Sequence, residues 1–201
     1  MTAMCEISVE SKEKIGNAMI YIANRLQGVS KTKLLKLLYL MEERMVEKYH
    51  VPFLALPYEI WRLGPVQKEL FAELSDQPLF LFKEYIEPYY DKDDNKYFRA
   101  LKPFDDDEFS DCELTVMDEV MKEYGGKTAR QLIDILHQPG TLWHKGAVAH
   151  NVLASFDKGT CNSTDIKIDF SAKLPEDIRS DYEESLSVRQ TADALKVEFH
   201  V

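Results

Sequence analysis

Three cysteines in 201 residues, Cys5, Cys112 and Cys161, are too few, too scattered and the wrong parity for a disulfide framework, and none belongs to a Cys-x-x-Cys pair. Reduced thiols in a cytoplasm are the expectation. No apolar run approaches the ~20 residues of a membrane-spanning helix. The opening Met1 to Glu10 has neither a basic stretch nor an apolar core, so neither a membrane nor a secreted destination is expected. The chain also lacks a Gly-x-Ser-x-Gly nucleophile turn, a phosphate-cradling Gly-x-x-x-x-Gly-Lys and a Gly-x-Gly-x-x-Gly dinucleotide loop. Those absences remove the commonest enzyme classes and leave only an enzyme whose site is assembled from distant residues. Positive charge is scarce as well. Lys and Arg number 25 against 35 Asp and Glu, and the net charge of -10 opposes sequence-independent attraction to a phosphate backbone.

What is present suits one globular unit. Hydrophobic residues make up 45% and charged residues 30%, and the length fits a single domain over residues 1–201. Ile15, Ala18, Met19, Ile22 and Leu26 recur at helical spacing, and Gly28 is a natural stop, so a helix is predicted over 12–27. Ser30 is placed to cap a second helix running to Tyr49, with its apolar stripe at Leu34, Leu37, Leu38, Met41 and Met45. Lys31, Lys33, Lys36, Arg44 and Lys48 form a basic stripe on this helix, interrupted by Glu42, Glu43 and Glu47. The short connection between the two helices raises a helix-turn-helix reading. The second helix is nonetheless too long and too apolar for a recognition helix, and its lysines are balanced by glutamates.

Tyr58 to Leu63 reads as a short extended stretch, with Gly64-Pro65 opening a third helix that buries Leu70, Phe71 and Leu74. Trp61 can anchor that strand, while Glu59 and Arg62 leave one face able to present charge. Tyr85, Ile86, Tyr89, Tyr90, Tyr97, Phe98 and Leu101 flank the polar Asp91 to Asn95, which predicts a β-hairpin. Its acidic turn argues for packing rather than nucleobase stacking. Ser110 with Glu113, and Thr128 with Gln131, are capping boxes for two further helices, the second ending before Pro139-Gly140. A short helix is expected around Ala147, a final one from Pro175, and a terminal strand over Lys196 to Val201 pairing with the hairpin. The fold class is therefore mainly α (α+β): a compact helical domain with a small antiparallel β-hairpin or sheet.

His137, His144 and His150 are the only histidine cluster, but their spacing does not put two ligands on one helical face, and Asp105 to Glu108 reads as a solvated linker. No metal and no cofactor is implied.

Two blocks then stand out together. The first is Lys33-Leu-Leu-Lys36-Leu37-Leu-Tyr39 followed by Glu59-x-Trp61-x-x-Gly64-Pro65-Val66, and the second is Met117 to Gly126 followed by His137-x-x-Gly140-Thr-x-Trp143. Over roughly residues 15–147 this order resembles the SocA-like Panacea domain of phage-associated proteins and bacterial antitoxins. The resemblance implies a non-catalytic, mainly helical domain that neutralises a cognate protein toxin by binding it, one branch acting as an adaptor that delivers a toxin to a protease. Lys33, Lys36, Tyr39, Glu59, Trp61 and Arg62 are the candidate partner-binding residues, and Leu37, Gly64, Pro65, Val66, His137 and Trp143 are structural residues of the matching motif. Residues 148–201 match no part of it and are read as a C-terminal extension. Nucleic acid is disfavoured as a partner, although a DNA-binding regulator using the Lys31 to Lys48 stripe stands as the alternative.

Overall fold

The computed structural model describes residues 9–75 and 79–198. Its centre is a helix whose sequence is apolar on more than one face. Helix α2 (Lys31–Tyr49) buries Leu34, Leu35, Leu37, Leu38, Tyr39, Leu40, Met41, Met45 and Val46. A helix buried on most of its circumference needs neighbours all round. These are α1 (Val9–Leu26), α3 (Lys68–Ser75), α4 (Asp111–Tyr124) and α5 (Ala129–Leu136), together with a 3₁₀ turn over Phe170–Lys173. The predicted mainly helical architecture with small antiparallel sheets holds.

Helices α1 and α2 are joined by a left-handed turn at Gln27 and Gly28, and the Gly28 amide donates to the Ala23 carbonyl at 3.1 Å. A β-carbon on Gly28 would stand 2.1 Å from the Tyr89 hydroxyl, so the turn can pass under that ring only as glycine. Ser30 sits at the N-cap with extended backbone, but its hydroxyl makes no capping bond, contrary to expectation. The helix is instead entered through the Leu34 amide bonding to the Ser30 carbonyl at 2.9 Å.

Two separate hairpins follow. Strands β3 (Ile86–Tyr90) and β4 (Lys96–Ala100) pair antiparallel across the predicted Asp91 to Asn95 turn, which the Asp91 carboxylate organises by accepting from the Asp93 and Asn95 amides, both at 2.9 Å. The other hairpin corrects the sequence reading. Gly64-Pro65-Val66 does not open a helix; it is strand β2 (Gly64–Val66), paired with β1 (Glu59–Trp61) in the register Glu59 to Val66 and Trp61 to Gly64. Gly64 takes φ +97°, which is not helical backbone, and the proline lies opposite Ile60. Helix α3 begins only at Lys68, capped by Gln67, whose side-chain oxygen accepts from the Leu70 amide at 2.6 Å.

Both predicted capping boxes form, at Ser110 with Glu113 and at Thr128 with Gln131. Beyond them, α6 (Leu142–Ala149) is the short helix expected around Ala147, α7 (Leu153–Asp157) is a further one that the sequence did not announce, and α8 (Glu176–Glu198) starts where Pro175 predicted. The proposed terminal strand is overturned as far as it is described: Lys196, Val197 and Glu198 continue α8, and residues 199–201 lie outside the described residues. An uninterrupted helix already satisfies those backbone groups within itself.

Candidate partner-binding site

The two motif blocks, far apart in sequence, meet around the β1–β2 hairpin. Lys36 points from α2 into the hairpin and is only 2% exposed, and its Nζ donates to the Pro65 carbonyl at 2.6 Å. Pro65 lies opposite Ile60, whose amide bonds instead to the Ile166 carbonyl at 2.9 Å, and the Pro65 carbonyl is held by the Lys36 side chain. On the other side of the hairpin the Trp143 indole N–H, from α6, donates to the Trp61 carbonyl at 2.8 Å. His137, at the C-terminal end of α5, stacks flat on Trp143 with centroids 3.8 Å apart and ring planes 7° from parallel. A β-carbon on Gly64 would stand 3.2 Å from the Lys36 Nζ and 3.9 Å from the His137 Nε2, so glycine is what lets α2 and α5 close over the strand. Thr141 sets α6 at its angle by accepting from the His144 amide at 3.2 Å and donating to the Leu136 carbonyl at 2.7 Å.

Burial shapes the electrostatics here. With no carboxylate partner among the described residues, the Lys36 ammonium is pushed down to about 7 by burial. His137 is held down to about 4, first by burial and then by the nearby Lys36 charge. Both groups are thus poised towards their neutral forms. Tyr39 is fully buried, and burial with the neighbouring Glu43 carboxylate lifts its hydroxyl well above the ordinary tyrosine range.

The six candidate binding residues divide by exposure. Lys36, Tyr39 and Glu59 lie inside: Tyr39 packs edge-on against Tyr58 at 5.2 Å, and Glu59 accepts from the Trp61 indole N–H at 3.0 Å and from Lys167 at 2.6 Å. Trp61 is half-buried, its indole N–H shared with the Thr164 carbonyl at 3.1 Å and its ring edge-on to Phe71. Lys33 donates to the Gly125 carbonyl at 2.6 Å, closing the C-terminal end of α4. Arg62 alone stands in solvent, at the hairpin tip, with one guanidinium nitrogen 3.2 Å from the Asn162 side-chain oxygen. Of the structural motif residues, Leu37, Gly64, Pro65, Val66 and Trp143 are buried, and His137 is half-buried with its Nε2 sealed from solvent.

The same accounting dissolves the basic stripe. Lys31 donates to the Ser75 hydroxyl and lies 3.9 Å above the Phe71 ring. Arg44 and Lys48 meet Glu119 and Glu123 of α4, the Arg44–Glu123 and Lys48–Glu119 pairs at 2.6 and 2.5 Å. Each cation has an internal partner, which removes the premise of a DNA-facing ridge. Among the described residues, the histidines and cysteines form no metal-ligand group; the three carboxylates close enough to do so, Asp105, Asp106 and Asp107, are all exposed.

Two features escaped the sequence reading. Leu63, beside Arg62, is 53% exposed at the hairpin tip. Residues 162–168 also run along β1 as an irregular third strand, with the Ile60 and Arg62 amides bonding to the Ile166 and Asn162 carbonyls, both at 2.9 Å. No local signal marks that pairing, because Gly159 to Thr164 reads as turn. Only the alternation in Ile166-Lys167-Ile168 hints at extended chain.

The sequence model of the antitoxin SocA-like, Panacea domain matches residues 34–144, an interval that contains the second motif block, all of the first except Lys33, and the whole β1–β2 hairpin. No curated protein and no solved structure matches the chain.

Proposed function

We propose, from the premise that this chain belongs to the antitoxin SocA-like, Panacea domain family, that it is an antitoxin that neutralises a cognate protein toxin by direct binding, without catalysis. The family membership is the observation that carries the reading. The toxin is a protein encoded by a neighbouring gene, basic overall, since a partner of opposite potential meets a chain of net charge -10 faster and with fewer wrong pairings, but with carboxylates where it receives the Arg62 guanidinium. The contact is centred on the β1–β2 tip. Arg62 and Leu63 together offer a guanidinium and an exposed apolar side chain on a backbone already fixed from both sides, so little ordering entropy is lost on binding. Lys33, Lys36, Tyr39, Glu59 and Trp61 act from beneath, by fixing that tip. The cytoplasm is where toxin and antitoxin meet, and among the described residues no helix is long and apolar enough to cross a membrane.

Co-expression with the adjacent open reading frame tests the reading. Growth arrest by the neighbour alone, relieved by this protein and accompanied by a co-purifying complex, is the expected result. A harmless neighbour, or one still toxic in its presence, overturns it. Relief accompanied by disappearance of the toxin, and lost when cellular proteases are deleted, selects delivery to a protease over occlusion.

A further inference from the structure

Within the motif cluster one polar atom is left over. The His137 Nε2 is sealed from solvent and has no hydrogen-bond partner among the described residues, although burying such an atom without one is unfavourable. Beside it, Lys36 uses one N–H on the Pro65 carbonyl and has at least one more, whether it is an ammonium or an amine. Surplus donor and surplus acceptor both lie within 4 Å of a single point, the place where a Gly64 β-carbon would stand. With no side chain on Gly64 to cover them, the two atoms are neighbours, and each still has a hydrogen bond to make.

We propose that Lys36, Gly64 and His137 form a binding site for one internal water, which accepts from the Lys36 Nζ and donates to the His137 Nε2 and so clasps α2, β2 and the end of α5 together. Acceptance at Nε2 requires the neutral imidazole protonated on Nδ1. Burial and the Lys36 charge both oppose a second proton on the ring, and of the other charged groups around it Arg130 acts in the same direction while Asp134 and Asp157 oppose it. The water has the two polar partners that an ordered buried water needs at minimum. Through Trp143, which stacks on the same imidazole and bonds to the Trp61 carbonyl, the clasp grips both strands of the hairpin. The clasp rests on the antitoxin reading only for its consequence, a tip held ready for a partner; its existence is tested on the free full-length chain.

Histidine-selective nitrogen NMR on the wild-type protein, together with a high-resolution crystal structure near pH 8, decides it. The expected result is Nδ1-protonated His137 down to at least pH 5, with an ordered water within hydrogen-bond distance of both Nζ and Nε2. A proton on Nε2 at neutral pH, or a site with no water between the two nitrogens, overturns it. The holding role is read by amide exchange. In His137→Leu the Ile60 and Arg62 amides should exchange about tenfold faster, and His137→Gln, whose side-chain oxygen can accept, should recover much of the loss. Equal rates in all three proteins would show that the clasp does not hold the hairpin. Toxin neutralisation by a protein with a loosened hairpin would limit the failure to the consequence and leave the antitoxin reading intact.

Discussion

The hairpin β3–β4 runs five residues a side, packs one face against α1 and leaves Tyr90 half exposed at its turn, whereas β1–β2 runs three residues a side and is enclosed by α2, α5, α6 and residues 162–168. The longer hairpin follows local rules: alternating aromatic residues, an acidic turn whose own side chain ties it, and an ion pair between Glu87 and Arg99 at 2.6 Å. The shorter one has almost no local means of support. Two strands of three residues are marginal on their own. They stand because a lysine, a tryptophan and a threonine from elsewhere each take one of their carbonyls, at Pro65, Trp61 and Ile60. Motif residues therefore accumulate around the hairpin that depends on tertiary contacts, and its exposed tip inherits their rigidity.

Truncating the two hairpins should separate them most strongly. Ile60 is fully buried in β1, and Ile60→Ala should cost about 2–5 kcal/mol of unfolding free energy by denaturant titration. Tyr90→Ala, at a position 52% exposed, should stay within about 0.5 kcal/mol. Comparable losses would mean that the two hairpins are equally embedded. Next in size is Gly64→Ala, expected to cost about 1–3 kcal/mol, because a positive φ and a β-carbon pressed on the Lys36 Nζ are both unfavourable. A neutral result would show that the Lys36 side chain gives way to the added methyl group.

Lys36 gives a smaller, pH-resolved difference. Its folded pKa of about 7 lies below the ordinary value of 10.5, so between those values the unfolded chain binds the extra proton and stability rises with pH, by at most about 1.4 kcal/mol per unit. Lys36→Met should flatten that rise between pH 7.5 and 9.5, below the range where the buried tyrosines, raised above the ordinary value, begin to add the opposite slope. An unchanged slope would assign it to other groups. His137, whose folded pKa is depressed, predicts a further loss of stability as pH falls from 6.5 towards 4. The smallest stability effect is expected at the tip. Arg62→Glu should leave the melting temperature within a few degrees and yet abolish toxin neutralisation. Full neutralisation by the folded variant would move the contact elsewhere.

Much of this fold could be read locally. Leu34, Leu37, Leu38, Met41 and Met45 mark α2 by spacing alone, Thr128 and Gln131 mark the start of α5, and Asp91 to Asn95 mark the turn of β3–β4. Gly64-Pro65 misled because the same pair suits a helix start and a strand beside a positive-φ glycine. What excludes the helix is the contact of Lys36 with the Pro65 carbonyl, which sequence spacing does not contain. Lys36 misled in the same way. A lysine on a helix among glutamates reads as solvated, and here it is among the most buried side chains of the protein.

The sequence by itself determined which segments are helical, where most of them begin and stop, and to which family they belong, because capping, periodicity and motif order act over a few residues at a time. Only the tertiary structure decided that two motif blocks share one hairpin, that the basic stripe of α2 is consumed by α4, Ser75, Gly125 and Pro65, and that Arg62 and Leu63 remain outside. Those outcomes depend on which distant carbonyl or carboxylate reaches each cation first, and that is settled by how the helices pack around α2.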